Sequence, residues 1–525
     1  MRSRPHLAVL SVLAATAAAV LVAPSANAAP PTPETGPVAP VMGCGELAQF
    51  THPDTAVTAV EQHRGDDRTP ASCRVTLRVE DPEDGGSVTV WVYLPEETWN
   101  GRFQGVGGGG FSGGSAGSLE APLRAGYAAA ATDAGHVGPS GTFGLRPDGT
   151  PDQAAREDFG HEGVHDMTVT AQALVAAYYG QEPAYSYWNG CSTGGRQGLM
   201  EAQRYPDDYD GVLAGAPVIN FPEMQTGQIW GQIVMLQEDN PVPACKFEAA
   251  LAAAVAACDT VGDGVVDGVI GDPFACDFDL TTLVGTVTPC GTITAEDVAV
   301  MQRIHEGPRG TDGRFLWYGL PFGAPYAGLH DVRLDESGQL VGNPFVYDIW
   351  WIRYFLTDDP TFDWRTLDHS SFEALFDLAV ERYGDMMGAS DPDLSAFRES
   401  GGKLLMWHGL ADFGVTVRGT VDYYERVLDE LGPGHTQQFA RLFLAPGVGH
   451  CGGGAGAQPV DPFGALVEWV EGGRAPRTLD AATAAGATRP ICAYPTVARW
   501  TGRGDPADGS TYRCVPATRM ELRQP

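Results

Sequence analysis

The chain has 525 residues, a formal net charge of −33 and 43% hydrophobic residues. These values allow one large domain with an insertion, or two to three domains. The negative charge argues against nucleic acid and anionic membranes as partners, and it suits an exported protein that must remain soluble.

The N-terminus is predicted to be a secretory signal peptide, residues 1–28. Two arginines in the first four residues precede an apolar run, Leu7–Val22, and small residues follow at Ala26–Ala28, the pattern of a signal with its cleavage site. The proline-rich segment 29–40 is predicted to be a disordered linker. No later run of about 20 apolar residues suggests a membrane span. We therefore expect a secreted protein.

Residues 41–219 are predicted to form the first part of a core in which strands and helices alternate. Such alternation indicates an α/β fold, a mostly parallel sheet with helices on both faces. The predicted elements are strands at Arg74–Val79, Ser87–Leu94, Arg102–Val106 and Gly126–Thr132, a helix within Asp158–Gly180, a strand from Tyr185, a helix at Gly195–Arg204 and a strand at Asp210–Pro217.

Four consecutive glycines, Gly107–Gly110, directly follow the predicted strand that ends at Val106. In esterases of the α/β-hydrolase type, a Gly-rich loop at this place supplies one backbone N–H for an oxyanion. A flexible linker is the alternative, but linkers more often carry serines and lie between domains.

The stretch Tyr185–Gly198, YSYWNGCSTGGRQG, contains the strongest motif in the chain. A Gly-x-Ser-x-Gly turn between a strand and a helix is a nucleophile elbow, here centred on Ser192. Glycine neighbours let strand and helix approach closely while the serine adopts a strained conformation. The helix N-terminus offers N–H groups to an oxyanion. A chance match in a Gly-rich chain is the alternative, and the strand–turn–helix context disfavours it.

Residues 220–391 interrupt the alternation and are predicted to form a lid. The lid contains predicted helices at Phe247–Ala257, Ala295–Glu306 and Phe372–Tyr383. It is rich in aromatic residues but lacks the long apolar flap that a lipid interface would need. These aromatic residues are Trp230, Trp317, Tyr318, Trp350, Trp351 and Trp364.

The lid also contains an acidic loop, Cys258–Ile270, in which Asp259, Asp263 and Asp267 recur at spacing four. Three neighbouring carboxylates repel one another unless a cation lies among them, and oxygen ligands in a flexible loop suit Ca²⁺. The spacing differs from that of an EF-hand. A solvated acidic turn is the alternative. We expect this loop to lie away from the catalytic residues.

Residues 392–525 are predicted to complete the core. A serine needs a base to become a good nucleophile, and the base needs an orienting acid. Asp412 follows a predicted strand, Gly402–His408, and His450 lies in a Gly-rich loop after another, Thr436–Leu444. The order serine, aspartate, histidine is that of α/β-hydrolases.

The other histidines are predicted to play supporting roles. His408 stands at a strand end and is predicted to be a structural histidine. His136, His161 and His165 precede Ser192, the wrong order for a base, and are expected to line or support the site.

Ten cysteines in an exported chain suggest five disulfides, but the composition alone does not determine how the cysteines pair. Cys191 directly precedes Ser192, and Cys451 directly follows His450. If serine and histidine meet, these cysteines lie close together, and a disulfide between them would tie the elbow to the histidine loop. Two unrelated cysteines are the alternative.

Several motifs resemble the tannase/feruloyl esterase family of secreted α/β-hydrolases, whose relatives include hydrolases of mono(hydroxyethyl) terephthalate. They are GCSTGGRQGLMEAQRYPDDYDGVLAGAP, HGLAD, PGVGHCGGG and WVEGGRAP, in a Cys-Ser, Asp, His-Cys arrangement. The resemblance extends from about Cys44 to the C-terminus. It implies an α/β-hydrolase core with a large inserted lid domain that carries a calcium site.

The resemblance also implies roles for individual residues. Ser192 would be the nucleophile, His450 the base and Asp412 the orienting acid. The backbone N–H groups of Thr193 and Gly110, with Gly109 as the other candidate, would form the oxyanion hole.

The resemblance implies a structural Ca²⁺ bound by Asp259, Asp263, Asp267 and the carbonyls of Val265 and Val269. One more residue separates Asp259 from Asp263 than is usual in the family. A Cys191–Cys451 bond is also implied. Cys258 and Cys276 flank the acidic loop and are expected to close it. The remaining cysteines are then expected to pair by elimination as Cys245–Cys290, Cys44–Cys73 and Cys492–Cys514.

By this resemblance we expect a serine carboxylesterase that acts on small esters of hydroxycinnamic, gallic or related aromatic acids, free or attached to a plant polymer. An esterase of another acyl specificity and a non-catalytic binding protein of the same fold remain alternatives, as does a peptidase or lipase. Neither a nucleic acid nor a membrane is expected as a partner.

Overall fold

The computed structural model describes residues 37–82 and 85–517. The predicted signal peptide, residues 1–28, lies outside the described residues, as does most of the predicted linker. Val38, at the end of that linker, donates its backbone N–H to the carbonyl of Trp99 at 2.9 Å. The packed domain therefore begins before residue 41.

The described strands are, in chain order, β1 Thr55–His63, β2 Ser72–Glu80, β3 Ser87–Pro95, β4 Arg102–Val106, β5 Ala128–Thr132, β6 Tyr185–Cys191, β7 Gly211–Gly215, β8 Val287–Thr288, β9 Gly291–Thr292, β10 Val332–Leu334, β11 Leu340–Gly342, β12 Lys403–Gly409, β13 Ala440–Ala445, β14 Gln458–Pro459, β15 Thr478–Ala482, β16 Thr488–Cys492, β17 Thr496–Trp500 and β18 Tyr512–Pro516. Nine of them form one sheet in the order β1-β2-β3-β5-β4-β6-β7-β12-β13.

The predicted mostly parallel sheet is confirmed. From β5 through β4, β6, β7 and β12 to β13, all neighbours pair in parallel, whereas β1, β2 and β3 add an antiparallel edge. Strand β1 was not predicted, because a register shift between Val57 and Ala59 disrupts its alternation. Strand β13 begins later than predicted, because Pro433 starts a helical turn that ends at Thr436.

The described α-helices are α1 Glu120–Arg124, α2 Gln153–Glu157, α3 Gly163–Tyr179, α4 Thr193–Arg204, α5 Phe221–Gly227, α6 Trp230–Gln237, α7 Ala244–Cys258, α8 Ala295–Glu306, α9 Val346–Trp351, α10 His369–Met387, α11 Ser395–Ser400, α12 Val417–Leu431, α13 Pro433–Thr436 and α14 Pro462–Gly472. Helix α3 packs on the sheet with an apolar face whose residues recur at steps of three and four. These residues, Val164, Met167, Ala171, Leu174 and Tyr178, are all buried. No described helix combines the length and the apolar character that crossing a bilayer requires.

The segment between β7 and β12, residues 216–402, is called the insertion below. None of its strands joins the large sheet. Its helices α5 to α10 contribute to a second hydrophobic cluster, centred on buried aromatic side chains such as Trp351, Phe372 and Tyr383. The lid boundaries at residues 220 and 391 remain a prediction.

Arg196 of α4 connects the core to the insertion. It is completely buried, and it donates to the carbonyls of Phe159 and Gly160, each at 2.7 Å, and of Met387 at 3.4 Å. The guanidinium also lies over the rings of Phe159 and Phe221. Burial lowers the pKa of Arg196 to about 9, so the group is still charged at neutral pH.

We expect Arg196→Met to reduce the free energy of unfolding by about 3 kcal/mol, because buried carbonyls lose their donor. Urea unfolding measures this loss. Arg204→Met on the same helix is the control, because Arg204 pairs with a fully exposed Asp385, and its loss should be below about 1 kcal/mol. Equal losses in the two variants would contradict the role of Arg196.

Candidate active site

Ser192 lies at the turn between β6 and α4, in a conformation with φ 62° and ψ −123°. This positive φ is strained for a residue with a side chain. Backbone hydrogen bonds hold this conformation. The Ser192 N–H donates to the carbonyl of Gly215 at 2.9 Å, and the Ser192 carbonyl accepts from the backbone N–H of Arg196 at 3.0 Å. Strand and helix are so close here that a Cβ on Gly190 would lie 2.3 Å from the carbonyl oxygen of Gly194.

The structure brings the three predicted catalytic residues together. Asp412 follows β12 and His450 follows β13, so both lie at the carboxyl edge of the sheet where β6 ends. The Ser192 hydroxyl lies 2.8 Å from Nε2 of His450. Nδ1 of His450 lies 2.7 Å from Oδ2 of Asp412. This arrangement allows proton transfer from serine to histidine, with aspartate orienting the ring.

The carboxylate of Asp412 is inaccessible to solvent. Its Oδ1 accepts the backbone N–H groups of Gly414 at 2.8 Å and Val415 at 2.9 Å, and its Oδ2 faces His450 and His408. Burial alone would raise the pKa of Asp412, but the hydrogen bonds from the two histidines outweigh burial and hold it below its ordinary value. Asp412 is therefore ionised at neutral pH.

The glycine loop packs directly against the elbow, which excludes the flexible-linker alternative. The Gly194 N–H donates to the carbonyl of Gly108 at 3.1 Å, and the Thr193 hydroxyl donates to the carbonyl of Gly110 at 2.6 Å. Gly110 has a φ of 60°, which favours glycine. Gly109, Gly110 and Thr193 all line the cavity above Ser192.

This cavity has a volume of about 570 Å³, within the usual range for small-molecule sites. The insertion supplies most of its far wall, and Tyr347 approaches so closely that its hydroxyl would lie 2.6 Å from a Cβ on Gly110. Side chains that the sequence analysis did not identify line it: Phe221, Gln225, Gln228, Phe345, Tyr347 and Phe413. Only Phe413 carried a sequence signal, since it directly follows Asp412.

The three upstream histidines do not line this cavity, so that part of their expected role is wrong. His136 contacts the carbonyls of Phe111 and Ala134. His161 is bonded to the Tyr205 hydroxyl at 3.0 Å. His165 is bonded to Oδ2 of Asp208 at 2.8 Å. They brace neighbouring loops instead.

Within the described part of the chain, potential metal-ligating atoms of His165, Glu201 and Asp208 lie within 4.8 Å of one another. Glu201 is buried. Burial is the main cause that raises the pKa of Glu201 well above its ordinary value, and the negative charge of Asp208 adds to it.

The acidic loop is held by its own carboxylates. Oδ1 of Asp259 accepts the N–H groups of Asp267 at 3.0 Å and Gly268 at 2.8 Å, and Oδ1 of Asp263 accepts that of Val265 at 3.0 Å. Oδ2 of Asp267 is paired with Arg489 at 2.7 Å. Burial raises the pKa of Asp263 to about 6. All three aspartates thus stabilise the loop through hydrogen bonds or an ion pair of their own.

The acidic loop lies closer to the catalytic residues than expected. Gly268 and Val269 line a second cavity, of about 430 Å³, that His450 also lines. A Cβ on Gly447 would lie 2.7 Å from a methyl group of Val269. Because Gly447 belongs to the loop that carries His450, the expectation of a remote loop is wrong.

The ten cysteines form five disulfides. The pairs are Cys44–Cys73, Cys191–Cys451, Cys245–Cys290, Cys258–Cys276 and Cys492–Cys514, the same pairs that the sequence analysis expects. The Cα atoms of Cys191 and Cys451 are 6.0 Å apart, and their bond spans 260 residues. It links the residue before Ser192 to the residue after His450.

Comparisons with known proteins place this geometry among ester hydrolases. Residues 73–515 match the family model described as tannase and feruloyl esterase. A probable feruloyl esterase of Arthroderma benhamiae is 42% identical over 461 residues, 85% of each chain. The mono(2-hydroxyethyl) terephthalate hydrolase of Piscinibacter sakaiensis is 30% identical over 547 residues, 88% of this chain and 89% of the relative.

The fold has solved counterparts as well. The crystal structure of an esterase from Aspergillus oryzae superposes with a TM-score of 0.81 at 26% identity, covering 90% of this chain and 99% of that one. The likeness therefore includes the core sheet and most of the insertion.

We expect the Cys191→Ala, Cys451→Ala double variant to react more slowly with a serine-directed phosphonate. The decrease in labelling rate should be larger than the decrease in the folded fraction of the protein accounts for. The bond closes so long a loop that its entropic contribution is about 5 kcal/mol as an upper guide, and it holds the Gly-rich histidine loop against the elbow. The Cys492→Ala, Cys514→Ala variant, whose bond spans 22 residues, should lose stability but keep its labelling rate. Peptide mapping without reduction should recover Cys191 and Cys451 in one fragment; another partner for Cys191 would overturn the pairing.

Proposed function

Because the chain belongs to the tannase and feruloyl esterase family, we propose that it is a secreted serine carboxylesterase that hydrolyses esters of aromatic acids through an acyl-enzyme. The observation that carries the proposal is the hydrogen-bonded chain from Ser192 through His450 to the buried Asp412, placed beneath a cavity with aromatic walls.

In the first half of the reaction, the Ser192 oxygen attacks the ester carbonyl carbon while Nε2 of His450 takes its proton. The charge that develops on the carbonyl oxygen is stabilised by the backbone N–H groups of Thr193 and Gly110. The carbon–oxygen bond to the alcohol then breaks, and His450 gives the proton to the leaving oxygen. Ser192 is left acylated.

In the second half, a water molecule attacks the acyl carbon and His450 again removes a proton. The bond to the Ser192 oxygen breaks, the serine regains its proton from His450, and the free acid leaves. Throughout, the ionised Asp412 stabilises the imidazolium form of His450, and its two backbone donors keep the carboxylate in place.

The cavity supports an aromatic acyl group as the preferred substrate. Phe345, Tyr347 and Phe413 offer ring faces and edges on which a second ring can pack. Gln225 and Gln228 also lie on this wall. The Gln225 amide nitrogen donates to Oε1 of Gln228 and to Asp348, whereas the Gln228 amide nitrogen donates to the carbonyl of Gly414 and keeps a second N–H for a ring hydroxyl group of a hydroxycinnamic or gallic acid. The names of the family and its relatives point to the same esters. We propose a small aromatic ester, free or carried by a plant polymer, as the substrate.

Export is supported by the sequence at the N-terminus and by the five disulfides, which are typical of oxidising compartments. A binding protein without activity is the second candidate, and the complete triad geometry disfavours it, because a binding site does not need an aligned serine, histidine and aspartate.

We also propose that the acidic loop holds a structural Ca²⁺. The carboxylates of Asp259, Asp263 and Asp267 and the carbonyls of Val265 and Val269 would be the ligands. Burial and the charges of Asp267 and Asp259 raise the pKa of Asp263, and a cation among the three carboxylates would relieve this repulsion. Asp267 would have to share its charge between the ion and Arg489. When bound, the ion would stabilise the folded loop.

We expect Ser192→Ala to lower kcat by about 10⁴-fold or more on ethyl ferulate, methyl gallate and mono(2-hydroxyethyl) terephthalate, while the melting temperature stays near that of the parent. Mass spectrometry should place a phosphonate label on Ser192 alone. Ser186→Ala, a change in the same strand, is the control and should retain labelling.

Activity in Ser192→Ala would refute the serine mechanism. Turnover of p-nitrophenyl acetate without any turnover of the three aromatic esters would refute the aromatic substrate class while leaving the serine esterase intact.

We expect Ca²⁺ to raise the melting temperature of chelator-treated protein. At 100 times its Kd, the ion should add about 2.7 kcal/mol to the free energy of unfolding. Asp263→Asn should abolish this increase. Asp277→Asn is the control, because Asp277 is an exposed acid just beyond the loop and loses the same charge. If neither chelation nor Ca²⁺ changes the wild-type melting curve, the loop is not a calcium site.

A further inference from the structure

His408, the penultimate residue of β12, makes contacts that a purely structural histidine would not need. Its side chain is completely buried. Nδ1 lies 2.8 Å from the Thr420 hydroxyl, and Nε2 lies 3.0 Å from Oδ2 of Asp412 and 3.1 Å from the carbonyl of Val415. Both ring nitrogens are therefore engaged.

The neighbours of Nε2 show that this nitrogen carries a hydrogen. A carboxylate oxygen and a carbonyl oxygen face Nε2, and both can only accept, so Nε2 carries a hydrogen. Nδ1 faces the hydroxyl of Thr420, which can donate to it or accept from it. Nε2 therefore donates toward Asp412, and the bond between Nδ1 and Thr420 holds the plane of the ring.

Asp412 consequently accepts from two imidazoles through the same oxygen. His450 bonds Oδ2 at 2.7 Å and His408 bonds it at 3.0 Å, while Gly414 and Val415 occupy Oδ1. Four donors surround one carboxylate. If the His408 donor were lost, Oδ2 would be bonded only to His450, the residue that must receive and release a proton in every cycle.

We propose that His408 is a positioning residue that fixes Oδ2 of Asp412 toward His450 and, by taking part of the carboxylate's charge, lowers the proton affinity of His450. This inference rests on the proposed serine mechanism. The titratable groups involved are Asp412 and, through it, His450; the other contacts of His408, Thr420 and the Val415 carbonyl, do not titrate.

His408→Leu removes the donor while keeping an apolar side chain in the buried site. We expect kcat on ethyl ferulate to fall by about 10- to 100-fold, because the acid no longer holds the base in one orientation, while KM changes little. The carboxylate would also keep more charge for His450, so the imidazolium form becomes more stable. The acidic limb of the kcat/KM profile should therefore move to higher pH, by roughly half a unit or more.

Two further variants separate positioning from packing. His408→Gln places an amide N–H near the position of Nε2 and should return the acidic limb to its wild-type position and restore most of kcat. Thr420→Val removes the hydroxyl that orients the ring and should shift both quantities in the direction of His408→Leu, but less. Leu405→Ala, a buried change in the same strand, should lower the melting temperature without moving the limb.

The inference is overturned if His408→Leu lowers the melting temperature but leaves kcat per folded enzyme and the acidic limb unchanged. Should that variant not fold, an unchanged kcat and limb in Thr420→Val would overturn it. Ser192→Ala is assayed alongside. An active Ser192→Ala variant refutes the serine mechanism itself, whereas an inactive one together with unaffected His408 and Thr420 variants refutes only the role of His408.

Discussion

A carboxylate withdrawn from water must be compensated by hydrogen-bond donors, and the site depends on how this chain compensates Asp412. The turn after β12 supplies two backbone N–H groups, the strand itself supplies His408, and the loop after β13 supplies His450. Two neighbouring parallel strands thus end on one buried charge. The orientation of the His450 ring follows from this requirement, and the Cys191–Cys451 bond adds a covalent link between the histidine loop and the elbow.

The second requirement is that β6 and α4 approach each other closely at the elbow. Ser192 can take its strained conformation because Gly190 and Gly194 leave no side chain between strand and helix, and because α4 is anchored at its other contacts. Arg196 supplies one such anchor by donating to carbonyls on both sides of the boundary between core and insertion. Ser192, the glycine loop at residues 107–110 and the insertion are in this way all positioned by α4.

Much of the core could be predicted from sequence, since its signals are local. The glycines around Ser192, the glycine run after β4 and the alternation of buried strands with an amphipathic α3 each depend on residues a few positions apart. The cavity wall could not be predicted in this way. Phe345 and Tyr347 reach the site only because the insertion packs over it, and nothing in their neighbouring residues distinguishes them from aromatic residues such as Trp351 that lie in the interior of the insertion. The contact between Val269 and Gly447 was missed for the same reason, because it joins two loops that are distant in sequence.

The covalent link between the elbow and the histidine loop, the Cys191–Cys451 bond, depends on the redox state of its surroundings. Thiols remain reduced in the cytosol, so a newly synthesised chain would carry its serine and its histidine on segments that no covalent bond joins. Oxidation after export would join them. For an esterase that is exported as we propose, full activity would thus be reached only outside the cell that makes it. The esters inside that cell would not be exposed to the fully active enzyme.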